Sequence, residues 1–167
     1  MKKLILILIL LFNNTFAQDL GIETGLEIPR YVSLKSNDIN IRVGPSVNYP
    51  IVLKYVKENY PVMIIEEYQD WRKVIDFRHN SGWIHKSLIK GNRFGIIVIN
   101  SNSFVKVFNT INGKEIGEIE DGNIIELRKC KQDWCLVGIQ NKYGWIKKIY
   151  IWGVDEYEIF NIGFLQY

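Results

Sequence analysis

Hydrophobic and polar residues alternate over short stretches along most of the chain, and this alternation predicts β-strands. The stretches are rich in Ile, Val, Tyr and Trp, and clusters of Gly, Asn, Asp and Ser separate them at intervals of about ten residues. After the first residues, no stretch carries a helical stripe of apolar positions of the required length. Short strands at this spacing are typical of small barrels or sandwiches, so the pattern predicts an all-β protein.

The strand pattern occurs twice along the chain. Asp70-Trp71 is followed by Gly82-Trp83-Ile84, and Asp133-Trp134 is followed by Gly144-Trp145-Ile146, so the two motifs recur at offsets of 63 and 62 residues. In each copy the residues up to the Gly-Trp pair predict a hairpin turn whose glycine can take a positive φ. A domain of about 60 residues buries only about 60% of its unfolded surface and is marginal alone. We therefore expect two small barrels that pack together.

The first residues have the composition of an export signal. Two lysines are followed by the apolar run Leu4–Phe12, and Thr15-Phe16-Ala17 then places small residues at alternate positions. This order is typical of a secretory signal peptide, and the run is shorter than the roughly 20 residues that span a bilayer. We predict a signal peptide over 1–17, cleaved near Ala17, with an uncleaved anchor as the alternative. The protein is then periplasmic or secreted, with no membrane association after cleavage.

Composition and charge exclude several classes of protein. Hydrophobic residues make up 47% of the chain and aromatic residues 13%, which excludes a disordered chain. The formal charge of +3 includes the two lysines of the predicted signal, so the remaining charge is about +1. A charge this small does not attract a polyanion, and we predict no nucleic-acid partner.

The two cysteines, Cys130 and Cys135, are separated by four residues, and the strand patterns on either side predict a hairpin. The cysteines then face each other across the ladder, and an exported protein would oxidise them. A metal site would need further ligands, and a redox pair usually has a shorter spacing. We therefore predict a structural disulfide between them.

Three motifs of the first copy follow one another in a characteristic order. They are Ile39-Asn40-Ile41-Arg42-Val43-Gly44-Pro45-Ser46, Asp70-Trp71-Arg72-Lys73-Val74 and Gly82-Trp83-Ile84-His85. By these motifs the first copy resembles the bacterial SH3 domain, a small β-barrel. With Ile28–Lys35 and the cysteine and Gly-Trp motifs of the second copy, residues 26–154 are similar to an exported tandem-SH3 family of alphaproteobacteria. The second copy has Phe104–Phe108 where the first has the Asn-x-Arg-x-Gly-Pro signature, so a ligand role tied to that signature is not carried over to it.

The repeat and the resemblance divide the chain into five segments. These are the signal peptide over 1–17, a linker or N-terminal segment over 18–34, a first SH3-like barrel over 35–92, a second SH3-like barrel over 98–152 and a C-terminal tail over 153–167. The tail is too apolar for a solvated segment, since it includes Ile159-Phe160 and Gly163-Phe164-Leu165. We expect it to pack across both barrels, to pair at a sheet edge, or to form an interface with a partner.

The sequence contains no constellation that is typical of an enzyme. His79 and His85 are its only histidines, and no Ser lies on a Gly-x-Ser-x-Gly turn. It also has no Gly-rich phosphate loop and no His/Cys metal pattern. We therefore predict that the protein is not an enzyme and uses no metal or other cofactor.

The resemblance implies a module that binds the cell wall or a peptide. SH3-like folds bind extended peptides in shallow aromatic grooves. The candidate groove residues, all in the first barrel, are Arg42, Tyr49, Trp71, Trp83 and His85. For the two tryptophans, a place in the barrel core is the alternative. The expected ligand is peptidoglycan or an extended envelope peptide or protein. The alternative function is an envelope scaffold that acts through the apolar tail and does not bind the wall. The sequence does not indicate an oligomeric state.

Overall fold

The computed structural model describes residues 19–99 and 104–162, so the predicted signal peptide and Gly163-Phe164-Leu165 lie outside the described residues. The strands are β1 (Asp19–Leu20), β2 (Glu27–Ile28), β3 (Arg30–Leu34), β4 (Ile39–Arg42), β5 (Ile51–Tyr55), β6 (Pro61–Tyr68), β7 (Trp71–Ile75), β8 (Ser81–His85), β9 (Ile89–Lys90), β10 (Phe94–Ile97), β11 (Phe104–Phe108), β12 (Glu115–Glu120), β13 (Ile124–Cys130), β14 (Trp134–Ile139), β15 (Lys142–Lys147), β16 (Ile151–Trp152) and β17 (Phe160–Asn161). Short 3-10 helices lie at Lys86–Leu88 and Lys148–Tyr150. Within the described residues, no helix is long and apolar enough to cross a membrane.

The strands form two large antiparallel sheets that follow one plan. The order in the first sheet is β5-β4-β8-β7-β6-β3-β9, and in the second it is β12-β11-β15-β14-β13-β10-β16, with β17 paired to β13. The second order repeats the first strand for strand, so each copy of the repeat forms one barrel. This architecture confirms the predicted all-β fold of two tandem small barrels that pack together.

Each barrel has a hydrophobic core of its own. Fully buried residues at alternate strand positions form the first core, among them Leu34, Ile39, Ile41, Ile64 and Ile84. The second core is built in the same way and includes Ile125, Leu127, Val137 and Ile146. The alternation in the sequence is therefore the alternation of core-facing and outward-facing side chains.

The Gly-Trp motif marks a close approach of two strands and not a turn. Gly82 lies in β8 and Gly144 lies in β15, and neither has a positive φ. A Cβ atom on Gly82 would lie 2.5 Å from a side-chain carbon of Ile41 in β4. The prediction of a positive φ at these glycines is wrong, because the nearby turns use His79 and Asn141, whose φ angles are 64° and 66°.

Cys130 and Cys135 form a disulfide across the β13–β14 hairpin, which confirms the prediction. In the first barrel, Glu67 and Arg72 occupy the equivalent pair of positions in the β6–β7 hairpin. Arg72 Nε lies 3.3 Å from Glu67 Oε1, and the two side chains are 5% and 0% exposed. A buried ion pair therefore stands where the second barrel has a covalent bond.

Both barrels begin earlier than the predicted boundaries at residues 35 and 98. Strand β3 pairs with β6 and β9 of the first sheet, and β10 pairs with β13 and β16 of the second. The prediction missed these strands because the motifs that mark each copy lie downstream of them. Strand β3 pairs with β6, and β10 pairs with β13, so each supplies hydrogen-bond partners to the longest strand of its sheet.

The N-terminal segment, predicted as a linker, is docked onto the first barrel. Strands β1 and β2 pair with each other. In the turn between them, the backbone N–H groups of Glu23 and Thr24 donate to the Glu67 carboxylate at 3.0 and 2.9 Å. Ile28 of β2 also packs against the first core, so both hydrogen bonds and an apolar contact attach the segment.

The C-terminal tail packs on the second barrel, and its strand β17 pairs at the edge of β13. Val154 belongs to the second core, and the buried Lys148 ammonium donates to the carbonyl oxygens of Glu156 and Glu158 at 2.8 and 2.9 Å. Of the alternatives predicted for the tail, edge pairing is the one seen in its described part.

An aromatic cluster joins the two barrels. The Trp152 ring of the second barrel meets the Tyr31 ring of the first edge-on, with centroids 5.2 Å apart, and Phe77 lies 6.4 Å away. The Arg93 guanidinium, from the connection between the barrels, lies 5.7 Å from the Tyr31 ring and 4.9 Å from the Phe160 ring. Burial and the negative charges of the tail raise the pKa of Tyr31 to about 12.

Candidate functional site

Four of the five predicted groove residues lie on the outward-facing side of the first sheet, and Tyr49 lies in the loop before β5. Val74 and Ile84 point into the core, so their neighbours Lys73 and Trp83 point outwards. The strand register places Trp83 between Arg42 on β4 and Lys73 on β7. Arg42, Trp83 and Lys73 therefore form one cross-strand row.

A second row on the same face contains Tyr68, Trp71 and His85. Trp71 lies opposite both of the others, and its ring meets the His85 ring edge-on at 5.5 Å. His85 Nδ1 accepts a hydrogen bond from the Ser87 N–H at 3.3 Å and lies 2.7 Å from the Ser87 hydroxyl. His85 thus caps the 3-10 helix that follows it, and this leaves its Nε2 for other partners.

Arg42 connects strand β4 to the loop before β5. Its guanidinium donates to the Tyr49 carbonyl oxygen at 2.7 Å. The Tyr49 ring packs over Gly44, since a Cβ there would lie 2.7 Å from the ring, yet Tyr49 is still 46% exposed. The glycine of the Gly44-Pro45 motif therefore makes room for an exposed aromatic ring beside the groove.

The two tryptophans of the groove differ in exposure. Trp71 is half-buried, whereas Trp83 is only 8% exposed but does not belong to the core cluster. The Lys73 ammonium lies 6.0 Å from the centroid of the Trp83 ring. The Trp83 ring thus points outwards but is covered by its neighbours. It is neither an open surface for stacking nor part of the hydrophobic core cluster.

Cations surround this aromatic face. Lys86 forms an ion pair with Asp70 at 2.7 Å, and that hydrogen bond lowers the pKa of the Asp70 carboxyl. Lys73 pairs with Glu66 at 3.1 Å on the exposed surface. Both lysines are therefore neutralised by neighbouring carboxylates, and within the described residues Arg42 is the cation of this face that has no ion pair.

Sequence analysis missed two residues of this face, Lys73 and Tyr68. Tyr68 is 47% exposed and lies opposite Trp71. Lys73 lies two residues after Trp71 in β7 and so faces the same side. Tyr68 lies opposite Trp71 across the β6–β7 hairpin, so strand alternation and hairpin pairing would have found both residues. The ligand role of Arg42, Tyr49, Trp71, Trp83 and His85 stays a prediction.

No three His, Cys, Asp or Glu side chains come together as metal ligands within residues 19–99 and 104–162. The two histidines are separated by the length of β8, and both cysteines are in the disulfide.

Solved structures similar to this chain include three proteins named for NlpC. NlpC2 from Trichomonas vaginalis is 12% identical with a TM-score of 0.33, over 74% of this chain and 48% of its own. An NlpC/P60 family protein from Bacillus cereus ATCC 10987 is 12% identical with a TM-score of 0.32, over 72% of this chain and 55% of its own. NlpC1 from Trichomonas vaginalis is 12% identical with a TM-score of 0.32, over 79% and 48%. This chain spans about half the length of these proteins.

No curated protein matches the sequence. The sequence profile described as "Bacterial SH3 domain" matches it in two segments, residues 35–91 and residues 114–153. One segment falls in each barrel, in agreement with the strand-for-strand repeat of the two sheets. Because the two matches together cover more than half of the sequence, the chain belongs to the bacterial SH3 domain family.

Proposed function

We propose that this protein is an exported, non-catalytic binding module that recognises peptidoglycan, or an extended envelope peptide, through the outer face of its first barrel. The observation that carries the proposal is the set of aromatic side chains on one sheet face with the Arg42 guanidinium beside them. Membership of the bacterial SH3 domain family supports it, since SH3-like folds bind extended ligands in shallow aromatic grooves.

Each part of the face has a counterpart in a wall polymer. The exposed rings of Tyr49 and Tyr68 and the half-buried Trp71 offer flat surfaces on which sugar rings or peptide planes can stack. Arg42, which has no ion pair within the described residues, offers donors to the carboxylates of stem peptides. Such a face binds mainly through stacking contacts and a few hydrogen bonds, so we expect added salt to weaken binding only partly.

The test is co-sedimentation of the chain from Gln18 onwards with purified sacculi, with and without about 0.5 M salt. We expect salt-resistant pelleting that Trp71→Ala and Tyr49→Ala each reduce strongly. The matched control is Tyr157→Ala, because Tyr157 is 86% exposed and lies on the tail. Circular dichroism first establishes that each variant is folded. No pelleting of the unaltered protein would contradict the wall-binding proposal.

One observation favours the scaffold alternative. The apolar side chains with the largest exposed fractions around the tail are Ile149, Tyr157 and Ile159, which are 83%, 86% and 71% exposed. In the scaffold function, the unaltered protein does not pellet with sacculi, and the double variant Tyr157→Ser/Ile159→Ser loses a cross-linked partner in cells. Point substitutions are preferable to truncation here, since Val154 belongs to the second core.

An enzymatic function is tested by zymography on purified sacculi. We expect no clearing around the protein. Clearing that disappears in the His85→Ala variant would overturn the non-catalytic proposal.

A further inference from the structure

A cleft of about 840 Å³ opens on the second barrel, away from the groove of the first. It lies between the loop after β11, the tip of the β13–β14 hairpin and the C-terminal tail. Its apolar side chains are Trp134, Ile149, Ile151 and Val154, and its charged rim includes Asp133, Lys147 and Glu156. A volume of this size is typical of sites for small ligands, which combine an apolar wall with a few polar groups.

Comparison of the two barrels shows that Asp133, on the rim of this cleft, lacks the lysine partner that the equivalent Asp70 has. Asp70 and Asp133 stand at the same place in the two barrels, and each accepts a backbone hydrogen bond through its carbonyl oxygen, from Lys86 and Lys148 respectively. In the first barrel the Lys86 ammonium also pairs with the Asp70 carboxylate at 2.7 Å. In the second barrel the Lys148 ammonium is turned inwards, where it donates to two carbonyl oxygens of the tail.

The redirected lysine leaves the Asp133 carboxylate without this partner, and Glu156 also lines the cleft. Within the described residues, neither Asp133 nor Glu156 has a side-chain hydrogen bond or ion pair. Lys148 also fixes the backbone of Glu156, since it donates to that carbonyl oxygen at 2.8 Å. The tail therefore fixes the backbone that carries Glu156, and both carboxylates line the same cleft.

The rim also carries positive charge. The Lys147 ammonium lies 5.8 Å from the Trp134 ring and is exposed, while the Lys148 ammonium is satisfied by its two carbonyl oxygens. The charges of the four side chains sum to zero, so the cleft does not select a purely cationic or purely anionic ligand. It offers carboxylates to an ammonium group and an ammonium to a carboxylate.

We infer that this cleft is a second binding site, which takes a short peptide end bearing an ammonium group and a carboxylate close together. Asp133 and Glu156 receive the ammonium, Lys147 receives the carboxylate, and the Trp134 side packs against the aliphatic part. The inference does not rest on the proposed function, because its residues belong to the second barrel and the tail.

The test is a titration of the isotope-labelled chain, from Gln18 onwards, with acetyl-Ala-Gly-Lys, followed by nuclear magnetic resonance. This tripeptide carries its ammonium and its carboxylate on one residue. Two matched probes each lack one charge: the form acetylated at the lysine Nε, and the C-terminal amide. We expect the parent tripeptide to shift the Trp134 indole resonance and to bind about tenfold more tightly than either matched probe.

Variants separate this site from the first barrel. In Asp133→Asn and in Glu156→Gln, we expect the preference for the parent over the Nε-acetylated probe to shrink, because one carboxylate is gone. The control is Asp70→Asn, which removes the equivalent carboxylate of the first barrel and is expected to leave all three affinities unchanged. Equal binding of the three probes, shifts confined to the first barrel, or no shift at any probe concentration would each overturn the inference.

Discussion

Glu67 shows how one buried carboxylate can hold several segments together. Its Oε1 lies 2.6 Å from the Arg30 guanidinium and accepts from the Thr24 hydroxyl at 2.8 Å, while Arg72 closes the hairpin behind it. Burial by itself would raise the pKa of this carboxyl. The hydrogen bonds from Arg30, Thr24 and the backbone outweigh burial and lower the pKa from 4.5 to about 2.

Glu67→Gln is expected to destabilise the protein by about 3 kcal/mol, because two guanidinium groups lose their carboxylate in a buried site. The pKa of Glu67 is depressed in the folded state, so its contribution is present above about pH 4.5 and is lost as the pH falls towards 2. Urea denaturation at several pH values measures both effects. The variant should show a flatter pH profile than the unaltered chain across this window.

Glu66→Gln is the matched control for this prediction. Glu66 is the neighbouring residue, but its side chain is 53% exposed and its pair with Lys73 lies at the surface. Surface pairs contribute at most about 1 kcal/mol, so this substitution should change stability little. An equal loss in both variants would mean that Glu67 does not have the anchoring role described.

At the scale of elements, the equivalent hairpins of the two barrels are closed by different chemistry. Reducing the Cys130–Cys135 disulfide is expected to lower stability by about 2 kcal/mol, since the closed ring is small and its loop entropy modest. Denaturation with and without a thiol-free reductant measures this loss. The Cys130→Ser/Cys135→Ser variant is the control, because the reductant should have no effect on it.

The C-terminal tail depends on an ion pair with the connection between the barrels. Arg93 forms a bidentate pair with Glu158. Burial would raise the pKa of Glu158, but the hydrogen bond to Arg93 outweighs it and lowers the pKa. In Glu158→Gln, we expect faster hydrogen–deuterium exchange at the backbone N–H of Ile162, which donates to the Arg128 carbonyl oxygen at 2.8 Å. Glu156→Gln should leave exchange unchanged, and acceleration in both variants would contradict the prediction.

At the scale of the whole molecule, a small aromatic cluster couples two barrels that are each of marginal size. Trp152→Ala removes the ring that contacts both Tyr31 and Phe77. We expect a loss of about 2 kcal/mol and the separation of one unfolding transition into two. Calorimetry tests this, with Tyr157→Ala as the control that should keep a single transition. A single transition in Trp152→Ala would show that the cluster does not couple the barrels.

Local patterns predicted the features that depend on near neighbours along the chain. The alternation of apolar residues marked the strands, and the spacing of Cys130 and Cys135 indicated a hairpin disulfide, because both signals arise within a few residues. The prediction for Gly82 was wrong. A glycine is required there because β4, which is distant in sequence, approaches it closely. The docking of the N-terminal segment was also missed, because the hydrogen bonds to Glu67 and the single packed side chain of Ile28 leave no periodic pattern.

Side-chain periodicity and repeated motifs encode the fold class, the duplication and the disulfide locally, so all three could be predicted from the amino-acid sequence. Which side chains meet depends on long-range packing instead. It placed Trp71, Trp83 and Arg42 on one outward face, and it turned Lys148 into the tail whereas Lys86 pairs with Asp70. Lys86 and Lys148 occupy equivalent positions in the two barrels. Their partners differ because the C-terminal tail packs on the second barrel and offers its carbonyl oxygens to Lys148.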